Sequence, residues 1–166
     1  SVDRCRAITH RLLGFARRMD VQFSQLDLNE VIREVLSLLE QEASHRNIDI
    51  QLNLAEKLPK IYSDQGQLQQ VFLNLISNAR DAMDTAEGRK ELTIRSYKNE
   101  GISQVAVSVM DTGAGISEDN LSKVFEPFFS TKRNGTGLGL SVSYFIITEN
   151  HKGQMRVESS PGKGTT

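Results

Sequence analysis

Hydrophobic and polar residues follow each other along this chain with two different periods, one of three to four residues and one of two. The longer period is typical of amphipathic helices and predicts helices over residues 1–20, 27–44, 65–84, 117–124 and 138–150. The shorter period is typical of half-buried strands and predicts strands over residues 48–54, 91–97, 103–110 and 154–158. Residues 125–137 follow neither period and are predicted to form a loop. Residues 159–164 predict a turn before a last strand that begins at Thr165.

The predicted helices differ in how their apolar residues are arranged. The helix over 65–84 has one continuous apolar face, formed by Leu68, Val71, Phe72, Leu75, Ile76, Ala79, Ala82 and Met83. The helix over 27–44 begins with a capping box of Asp27 and Glu30. The helix over 138–150 is apolar on most sides, which predicts that it is well buried. Residues 1–20 have a narrow apolar stripe, which is typical of a helix in a coiled coil or a bundle.

The order of these elements predicts a single α+β domain, a two-layer sandwich in which a sheet carries helices on one face, preceded by an N-terminal helix. The length of 166 residues is sufficient for one domain with its own core. A net charge of -1 gives no reason to expect nucleic-acid binding or contact with an anionic membrane. The single cysteine, Cys5, excludes an internal disulfide. No apolar run approaches the roughly 18 residues of a membrane span. We therefore expect a cytoplasmic domain, excised from a longer protein whose membrane anchoring the sequence leaves open.

Two glycine-rich segments give the first indication of chemistry. Asp111–Ile116 reads DTGAGI, and Gly135–Ser141 reads GTGLGLS and leads into an apolar helix. Glycine lets the backbone approach a ligand closely and turn its N–H groups toward an anion, and a helix N-terminus favours phosphate. The second segment has neither the G-x-x-x-x-G-K-[ST] pattern of a Walker A loop nor the G-x-G-x-x-G pattern of a dinucleotide fold. Its N–H groups still suit a triphosphate, to which Lys132 or Arg133 would add positive charge.

Polar residues border the apolar face of the helix over 65–84. Asn74 and Asn78 are four residues apart and Asp81 follows three residues later, so all three share one side of the helix. Taken alone, they would be ordinary surface residues, but at this border a helix can also face a ligand without losing its core contacts. Asp111 ends a valine-rich strand, where its carboxylate would accept a hydrogen bond from an adenine amino group. Taken alone, it would equally belong to a turn between a strand and a helix.

Four segments, in this order, resemble the sequence boxes of sensor histidine kinases. Asn74–Met83 (NLISNARDAM) resembles the N box, Asp111–Ile116 the G1 box, Phe125–Lys132 (FEPFFSTK) the F box, and Gly135–Ser141 the G2 box. The resemblance covers roughly residues 26–166, and the N and F boxes are similar to those of the nitrogen-regulation branch. It implies the Bergerat ATP-binding fold shared by gyrase, chaperone, histidine kinase and MutL proteins, with a mixed, mostly antiparallel sheet.

The resemblance also implies roles for single residues. Asn78 would coordinate Mg²⁺, and Asn74, Asn78 and Lys132 would be the catalytic residues at the phosphates of ATP. Asp111 would accept from the adenine amine, with Thr165 supporting it through a water. Further nucleotide contacts would come from Asp81, Gly113, Gly115, Ile116, Phe125, Phe128, Gly135, Thr136, Gly137, Leu138 and Gly139. Residues 125–137 would form a mobile lid.

Two features depart from the patterns of related families. Gyrase-type enzymes carry a water-activating glutamate four residues before the metal asparagine, and this chain has Asn74 there. Poor hydrolysis and transfer to an external nucleophile are therefore expected. His10 lacks the acidic neighbour of a phosphoacceptor histidine, His45 lies at a helix end, and His151 precedes a turn. Residues 1–22 resemble the second helix of a dimerisation hairpin, so we expect the acceptor histidine on a helix upstream of this chain.

The resemblance implies the ATP-binding catalytic domain of a two-component sensor histidine kinase. This domain would transfer the γ-phosphoryl group of ATP to a histidine outside the chain, and from there to the receiver domain of a response regulator. The full-length protein would be a homodimer, and the chain by itself would bind nucleotide but barely turn over. Two alternatives remain open at this point. One is a serine/threonine kinase of the same fold, of the anti-sigma-factor type, against which the helix over 1–20 argues. The other is a non-enzymatic module whose partner binding depends on nucleotide.

Overall fold

Two long helices pack on one face of a five-stranded sheet in this protein. The structure, a computed structural model, describes residues 21–132 and 135–166. The helix predicted over residues 1–20 and the domain boundary near residues 22–26 depend on residues outside this range and stay predictions.

Helix α1 spans Leu28–His45 and helix α2 spans Gln65–Asp84, which confirms both predictions. Each begins at an aspartate whose side chain accepts a backbone N–H of the first turn. Asp27 accepts from Asn29 at 2.9 Å, and Asp64 accepts from Gln67 at 2.9 Å. These caps fix where the helices start relative to the strands that precede them.

The described residues form seven strands: β1 Ser24–Leu26, β2 Asp49–Asn53, β3 Ile61–Ser63, β4 Glu91–Asn99, β5 Gln104–Asp111, β6 Ser159–Ser160 and β7 Gly164–Thr165. The main sheet has the order β2-β4-β5-β7-β6, and β1 pairs with β3 in a small second sheet. Only β2 and β4 are parallel, and the other pairs are antiparallel. The predicted mixed, mostly antiparallel sheet with helices on one face is therefore confirmed.

The hydrophobic core lies between this sheet and the apolar faces of α1 and α2. Ile32 of α1 and Ile94 of β4 are each 1% exposed, and Met83 of α2 is 0% exposed. Burying a side chain of this size stabilises the fold by about 1.5–3 kcal/mol. The core fixes α2 against the sheet and leaves the polar edge of the helix beside the end of β5.

Helix α3, Glu118–Leu121, is capped by Ser117 as predicted, but it has four residues only. Helix α4 spans Gly139–Phe145 and continues as a π-helix over Ile146–Asn150. The prediction of a helix over 138–150 is correct, but the prediction that it is well buried is wrong. Only Ser141, Ser143 and Ile146 are buried in it, because its apolar residues are spread around the helix while one side alone packs against α2.

The strand predicted over residues 154–158 is wrong. Side chains there alternate between half-buried and exposed, as the sequence pattern indicates. A strand also needs a partner, and none pairs with residues 154–157 in the described part of the chain. Pairing starts at Glu158, whose N–H and C=O exchange two hydrogen bonds of 2.8 Å with Thr166. Among the described residues, no helix combines the length and the apolar composition needed to cross a bilayer.

Candidate functional site

Helix α2 contacts both glycine segments. Near its C-terminal end, the carbonyl of Ala82 accepts from the amide of Ala114 at 3.1 Å. Two turns earlier, the side-chain amide of Asn74 donates to the carbonyl of Gly139 at 3.1 Å. Asn78 lies between these two points on the same helix. A single rigid element therefore places the two glycine segments on either side of Asn78.

Asn74 is engaged with the protein on both sides of its amide group. Its nitrogen also donates to the hydroxyl of Ser143 at 3.1 Å, and its oxygen accepts from Gln70 at 3.0 Å. Ser143 is 0% exposed and donates to the carbonyl of Gly139 at 2.8 Å. Sequence reasoning missed Ser143, although a small polar residue inside an apolar helix is a usable signal. These contacts attach the start of α4 to α2.

Asn78, Asp81 and Lys132 form a cluster at the exposed edge of α2. The ammonium of Lys132 donates to Asn78 Oδ1 at 2.7 Å and to Asp81 Oδ2 at 2.8 Å. Arg80 Nε lies 3.4 Å and Arg46 Nη1 3.6 Å from Asp81 Oδ1. Burial alone would raise the pKa of Asp81, but the hydrogen bond and charge of Lys132, together with Arg80, lower this pKa below its usual value. Sequence reasoning predicted the first three residues and missed the two arginines.

Asp111 is the last residue of β5 and is 6% exposed. Its Oδ1 accepts from the amide of Gly113 at 2.8 Å, and its backbone pairs directly with Thr165 across β5 and β7. Burial raises the pKa of Asp111, and the backbone N–H groups of Gly113 and Thr165 oppose this shift without cancelling it. Asp111 and Thr165 are therefore neighbours across two strands, and the support of Asp111 by Thr165 through a water stays a prediction.

The glycines after Asp111 are required by contacts with the protein's own backbone. A Cβ at Gly113 would lie 2.7 Å from the carbonyl carbon of Ala82. Gly115 has a φ of +75°, and a Cβ there would lie 2.1 Å from the carbonyl oxygen of Ser160. The prediction that these glycines let the backbone approach an adenine ring stays untested, because this packing explains them without a ligand.

Ser159 connects the first glycine segment to the C-terminal hairpin. Its hydroxyl accepts from the amide of Ile116 at 2.8 Å, donates to the carbonyl of Gly164 at 2.8 Å and lies 2.8 Å from the hydroxyl of Thr165. This serine and Gly164 were both missed by sequence reasoning, since the pattern around them indicates only a turn. They hold Thr165 and the loop after β5 in one arrangement.

The second glycine segment packs against the loop that precedes it. Gly137 has a φ of +69°, and a Cβ there would lie 2.4 Å from the carbonyl carbon of Phe128. Phe128 has a positive φ of 65° and donates its N–H to the carbonyl of Gly137 at 2.9 Å. A Cβ at Gly135 would lie 2.2 Å from Ser130 Oγ. The predicted lid is therefore folded back on the segment that leads into α4.

The first turn of α4 has no side-chain cap. Leu138 occupies the N-cap position without a side-chain hydrogen bond to the helix. The hydroxyl of Thr136 lies 3.4 Å from the amide of Leu138, which is a long contact. The N–H groups at this helix start are thus left without the serine, threonine or aspartate side chain that usually satisfies them.

One aromatic residue of the lid, Phe125, lies against α4. Phe125 stacks on Tyr144 with ring centroids 4.7 Å apart, and Phe128 is 43% exposed. A cleft of about 220 Å³ lies beside this stack and is lined by Phe125, Pro127, Ser141, Tyr144, Phe145, Thr148 and Glu149. Phe125 is the only predicted nucleotide residue that lines the cleft, so this cleft is distinct from the site around Asn78 and Asp111.

Neither described histidine, His45 or His151, is followed by the acidic residue expected after a phosphoacceptor histidine. His151 Nε2 accepts from the amide of Asp64 at 3.2 Å, so Nδ1 carries the hydrogen and donates to the carbonyl of Ile146 at 2.9 Å. His45 Nδ1 lies 2.7 Å from the carbonyl of Gln41 at the last turn of α1. His10 lies outside the described residues. The arrangement agrees with an acceptor histidine outside this chain, which stays a prediction.

Comparisons with known proteins identify the family. A family model described as "Histidine kinase-, DNA gyrase B-, and HSP90-like ATPase" matches residues 63–166. Sporulation kinase E of Bacillus subtilis (strain 168) is 38% identical over 164 residues, which are 99% of this chain and 22% of that protein. The sensor histidine kinase ZraS of Klebsiella oxytoca is 39% identical over 162 residues, which are 98% of this chain and 34% of that protein. The chain therefore spans between about a fifth and a third of these curated relatives.

Solved structures agree with this family. The nucleotide-free catalytic domain of the histidine kinase ThkA is 33% identical with a TM-score of 0.75, covering 87% of this chain and 91% of that one. Full-length ShkA in complex with AMPPNP is 27% identical with a TM-score of 0.78, covering 98% of this chain and 34% of that one. The chain belongs to the family of histidine kinase-, DNA gyrase B- and HSP90-like ATPases, and it is an ATP-binding catalytic domain of the sensor histidine kinase type.

Proposed function

We propose that this chain binds ATP together with Mg²⁺ in the space bounded by α2 and the two glycine segments, and that it donates the γ-phosphoryl group to a histidine outside the chain. The observation that carries the proposal is the placement of both glycine segments on α2, with Asn78 between them. This arrangement offers a buried carboxylate at one end and backbone N–H groups at the other, which are the groups that an adenine and a polyphosphate need.

At the adenine end, Asp111 would accept from the exocyclic amine of the base. Burial raises the pKa of this carboxylate. Burial also makes a ligand group that cannot hydrogen-bond to the carboxylate costly, so Asp111 would discriminate strongly between ligands. The pairing of β5 and β7 holds Thr165 next to Asp111, which supports the predicted auxiliary role of Thr165. The ring-lining roles of Ile116, Phe125 and Phe128 are predictions of the resemblance.

At the phosphate end, the uncapped first turn of α4 and the N–H groups of residues 135–139 would bind phosphate oxygens. The side-chain oxygen of Asn78 is a suitable ligand for Mg²⁺. This ion prefers oxygen ligands, commonly keeps several waters and is held largely by the phosphates of a nucleotide. The described residues contain no group of three or more His, Cys, Asp or Glu side chains that would hold a metal alone. When bound, the ion neutralises charge on the transferred phosphoryl group.

Asn74 explains why transfer rather than hydrolysis is expected. A side-chain amide does not take up a proton near neutral pH, so it cannot activate water as a carboxylate does. In addition, its nitrogen and oxygen are engaged with Gly139, Ser143 and Gln70. Asn74 would therefore act at the phosphates by holding the start of α4 in place. This is a positioning role within the catalytic set of Asn74, Asn78 and Lys132.

A complex among the similar structures supports a proposal for the partners. A complex of ThkA with the response regulator TrrA is among the similar structures, at 28% identity and a TM-score of 0.74, covering 99% of this chain and 46% of the matched chain. By analogy, we propose a receiver domain as the final phosphoryl acceptor of the full-length protein. A homodimer formed through the dimerisation hairpin, of which residues 1–22 would be part, and a cytoplasmic location of this domain belong to the same proposal.

The test is a calorimetric titration of Mg·ATP into three proteins: the wild type, Asp111→Asn and Asp119→Asn. Asparagine at 111 places an N–H donor opposite the adenine amine, so we expect an affinity loss of about 5- to 150-fold, corresponding to roughly 1–3 kcal/mol for an unmatched buried group. Asp119 lies on the exposed helix α3, and its substitution is the matched control. An unchanged affinity in Asp111→Asn, or no binding by the wild type, would contradict the proposed site.

Phosphoryl transfer is then measured with labelled ATP and a separately supplied dimerisation hairpin of a related sensor kinase. Label on the histidine of the hairpin supports the kinase. Nucleotide binding without transfer to any supplied histidine would favour the non-enzymatic module, and label on a serine or threonine would favour the anti-sigma-factor type.

A further inference from the structure

Asn78 is the predicted ligand of Mg²⁺, and in this structure its side-chain oxygen already contacts a cation, the ammonium of Lys132. This ammonium lies 2.7 Å from Asn78 Oδ1 and 2.8 Å from Asp81 Oδ2. We propose that Lys132 is a built-in counter-ion that fastens the lid to α2 in the nucleotide-free domain, and that it has to leave Asn78 when Mg²⁺ binds. This inference rests on the proposed function in one respect, the assignment of Asn78 as the metal ligand.

The charges around Asp81 favour this role for Lys132. Three cationic side chains surround this carboxylate, and Lys132 makes the shortest contact, 2.8 Å against 3.4 Å for Arg80 and 3.6 Å for Arg46. Each arginine has a second carboxylate partner, because Arg80 pairs with Glu42 and Arg46 with Asp84. The arginines are thereby fixed to α1 and α2, whereas the lysine comes from the lid.

An ammonium and a hard divalent cation use the same oxygen acceptors. The oxygen of Asn78 has two lone pairs, but two cations on one amide oxygen repel each other. The lysine is the one that can move, since its four-carbon stem is flexible and its charge is compact. Once displaced, its ammonium would be free to turn toward phosphate oxygens. Lys132 would then contact Asn78 and Asp81 before nucleotide binds and phosphate oxygens afterwards.

Among the described lid residues, no backbone-to-backbone hydrogen bond reaches α2. The amide of Lys132 is bonded to Ser130 Oγ at 3.1 Å, and its carbonyl accepts from Gly135 at 3.3 Å. Both contacts are internal to the lid. The ammonium contacts to Asn78 and Asp81 join the lid to the helix that carries the site, so lid position and cation occupancy are linked.

The first experiment measures hydrogen exchange of lid amides in the nucleotide-free, metal-free protein. We compare the wild type with Lys132→Met, Asp81→Asn and the control Lys123→Met, which removes a lysine charge from the exposed residue Lys123 outside the cluster. Lys132→Met and Asp81→Asn are expected to speed exchange severalfold at Phe128 and Gly135, whose N–H groups are bonded within the lid. Equal exchange in all four proteins would overturn the proposal, and unfolding curves check that each variant is folded.

The second experiment measures binding of Mn²⁺, as a paramagnetic substitute for Mg²⁺, by electron paramagnetic resonance in the presence of saturating ADP, because the proposed metal site is completed by phosphates. Removing the competing cation is expected to raise Mn²⁺ affinity by about tenfold in Lys132→Met relative to Lys123→Met. Equal Mn²⁺ affinity of Lys132→Met and Lys123→Met would mean that the lysine does not compete with the metal and would overturn the displacement.

The outcome is separable from that of the proposed function. Lid exchange is read without any ligand, while the proposed function is tested by Mg·ATP binding to the wild type. Normal Mg·ATP binding with unchanged lid exchange would reject the counter-ion role of Lys132 and leave the proposed function intact. Faster lid exchange in both variants without Mg·ATP binding by the wild type would support the fastening contact and reject the nucleotide site.

Discussion

Gly164 is the position where one added methyl group is expected to do the most damage to the site. Its φ is +93°, and a Cβ there would lie 1.9 Å from the carbonyl oxygen of Asp111 and 3.1 Å from Thr112 Cα. All the atoms in the way belong to backbone, so no flexible side chain can yield. In Gly164→Ala, either β7 moves away from β5 or the end of β5 is distorted, and both displace Asp111 relative to Thr165.

Gly162 provides a matched control in the same hairpin. It has a comparable φ of +75°, but a Cβ there meets nothing within 4 Å. Gly162→Ala therefore costs only the left-handed backbone conformation, about 1–2 kcal/mol. Gly164→Ala adds the cost of overpacking, about 1–3 kcal/mol. For a chain of 166 residues the gap between the two variants corresponds to a difference in Tm of roughly 3–10 °C.

The assay is thermal and urea unfolding of both variants, followed by Mg·ATP titration at a temperature where both are folded. We expect Gly164→Ala to be the less stable variant and to lose nucleotide affinity, and Gly162→Ala to bind like the wild type. Equal destabilisation of the two variants would show that backbone conformation, and not the close approach of β7 to β5, makes glycine necessary at 164.

Two further predictions concern buried polar groups. Ser143→Ala removes a hydroxyl that is 0% exposed and bonded to Gly139 and Asn74, so urea unfolding should show a loss of about 1–2 kcal/mol in the free energy of unfolding. The exposed control Ser122→Ala should be within about 0.5 kcal/mol of the wild type. Similar values for both variants would contradict the role of Ser143. Burial raises the pKa of Asp111 in the folded protein above its ordinary value of 3.8. The contribution of Asp111 to stability is therefore fully present below pH 3.8 and is lost as the pH rises through the raised pKa of the folded state. Over this pH interval, unfolding measurements should show the wild type losing stability relative to Asp111→Asn. Nucleotide affinity of the wild type should in turn fall on acidification at a higher pH than for an ordinary aspartate, and a constant stability difference across the series would refute the assignment.

Elements with local causes were predictable from the sequence. The helix over Gln65–Asp84 was found because one apolar stripe and one N-cap aspartate both lie within its own residues. The end of β5 at Asp111 was predicted within one residue for the same reason. The family resemblance then predicts one site from Asn78, Asp81, Lys132 and Asp111. The structure brings the first three into contact, and their roles toward a nucleotide stay predictions.

The features that could not be predicted from the sequence depend on contacts with residues far away in the chain. The alternation over 154–158 indicates a strand, but the ladder requires a neighbour that local patterning does not reveal. The apolar residues after Gly139 indicate burial, but the residues of α4 that are buried depend on how the helix packs against α2. The glycines at 113 and 115 were interpreted toward a ligand, whereas their nearest neighbours are Ala82 and Ser160. Each of these outcomes is set by residues far away in the chain.

Helix α2 has a consequence for which molecules this domain can accept. The contacts at Asn74 and Ala82 are separated by eight residues of one continuous helix, a distance of about 12 Å at 1.5 Å per residue. The helix keeps this distance fixed, because it neither stretches nor bends appreciably over two turns. The spacing between the two ends of a bound molecule is therefore set when the core folds. The length of a molecule that fits between the two glycine segments would therefore stay constant.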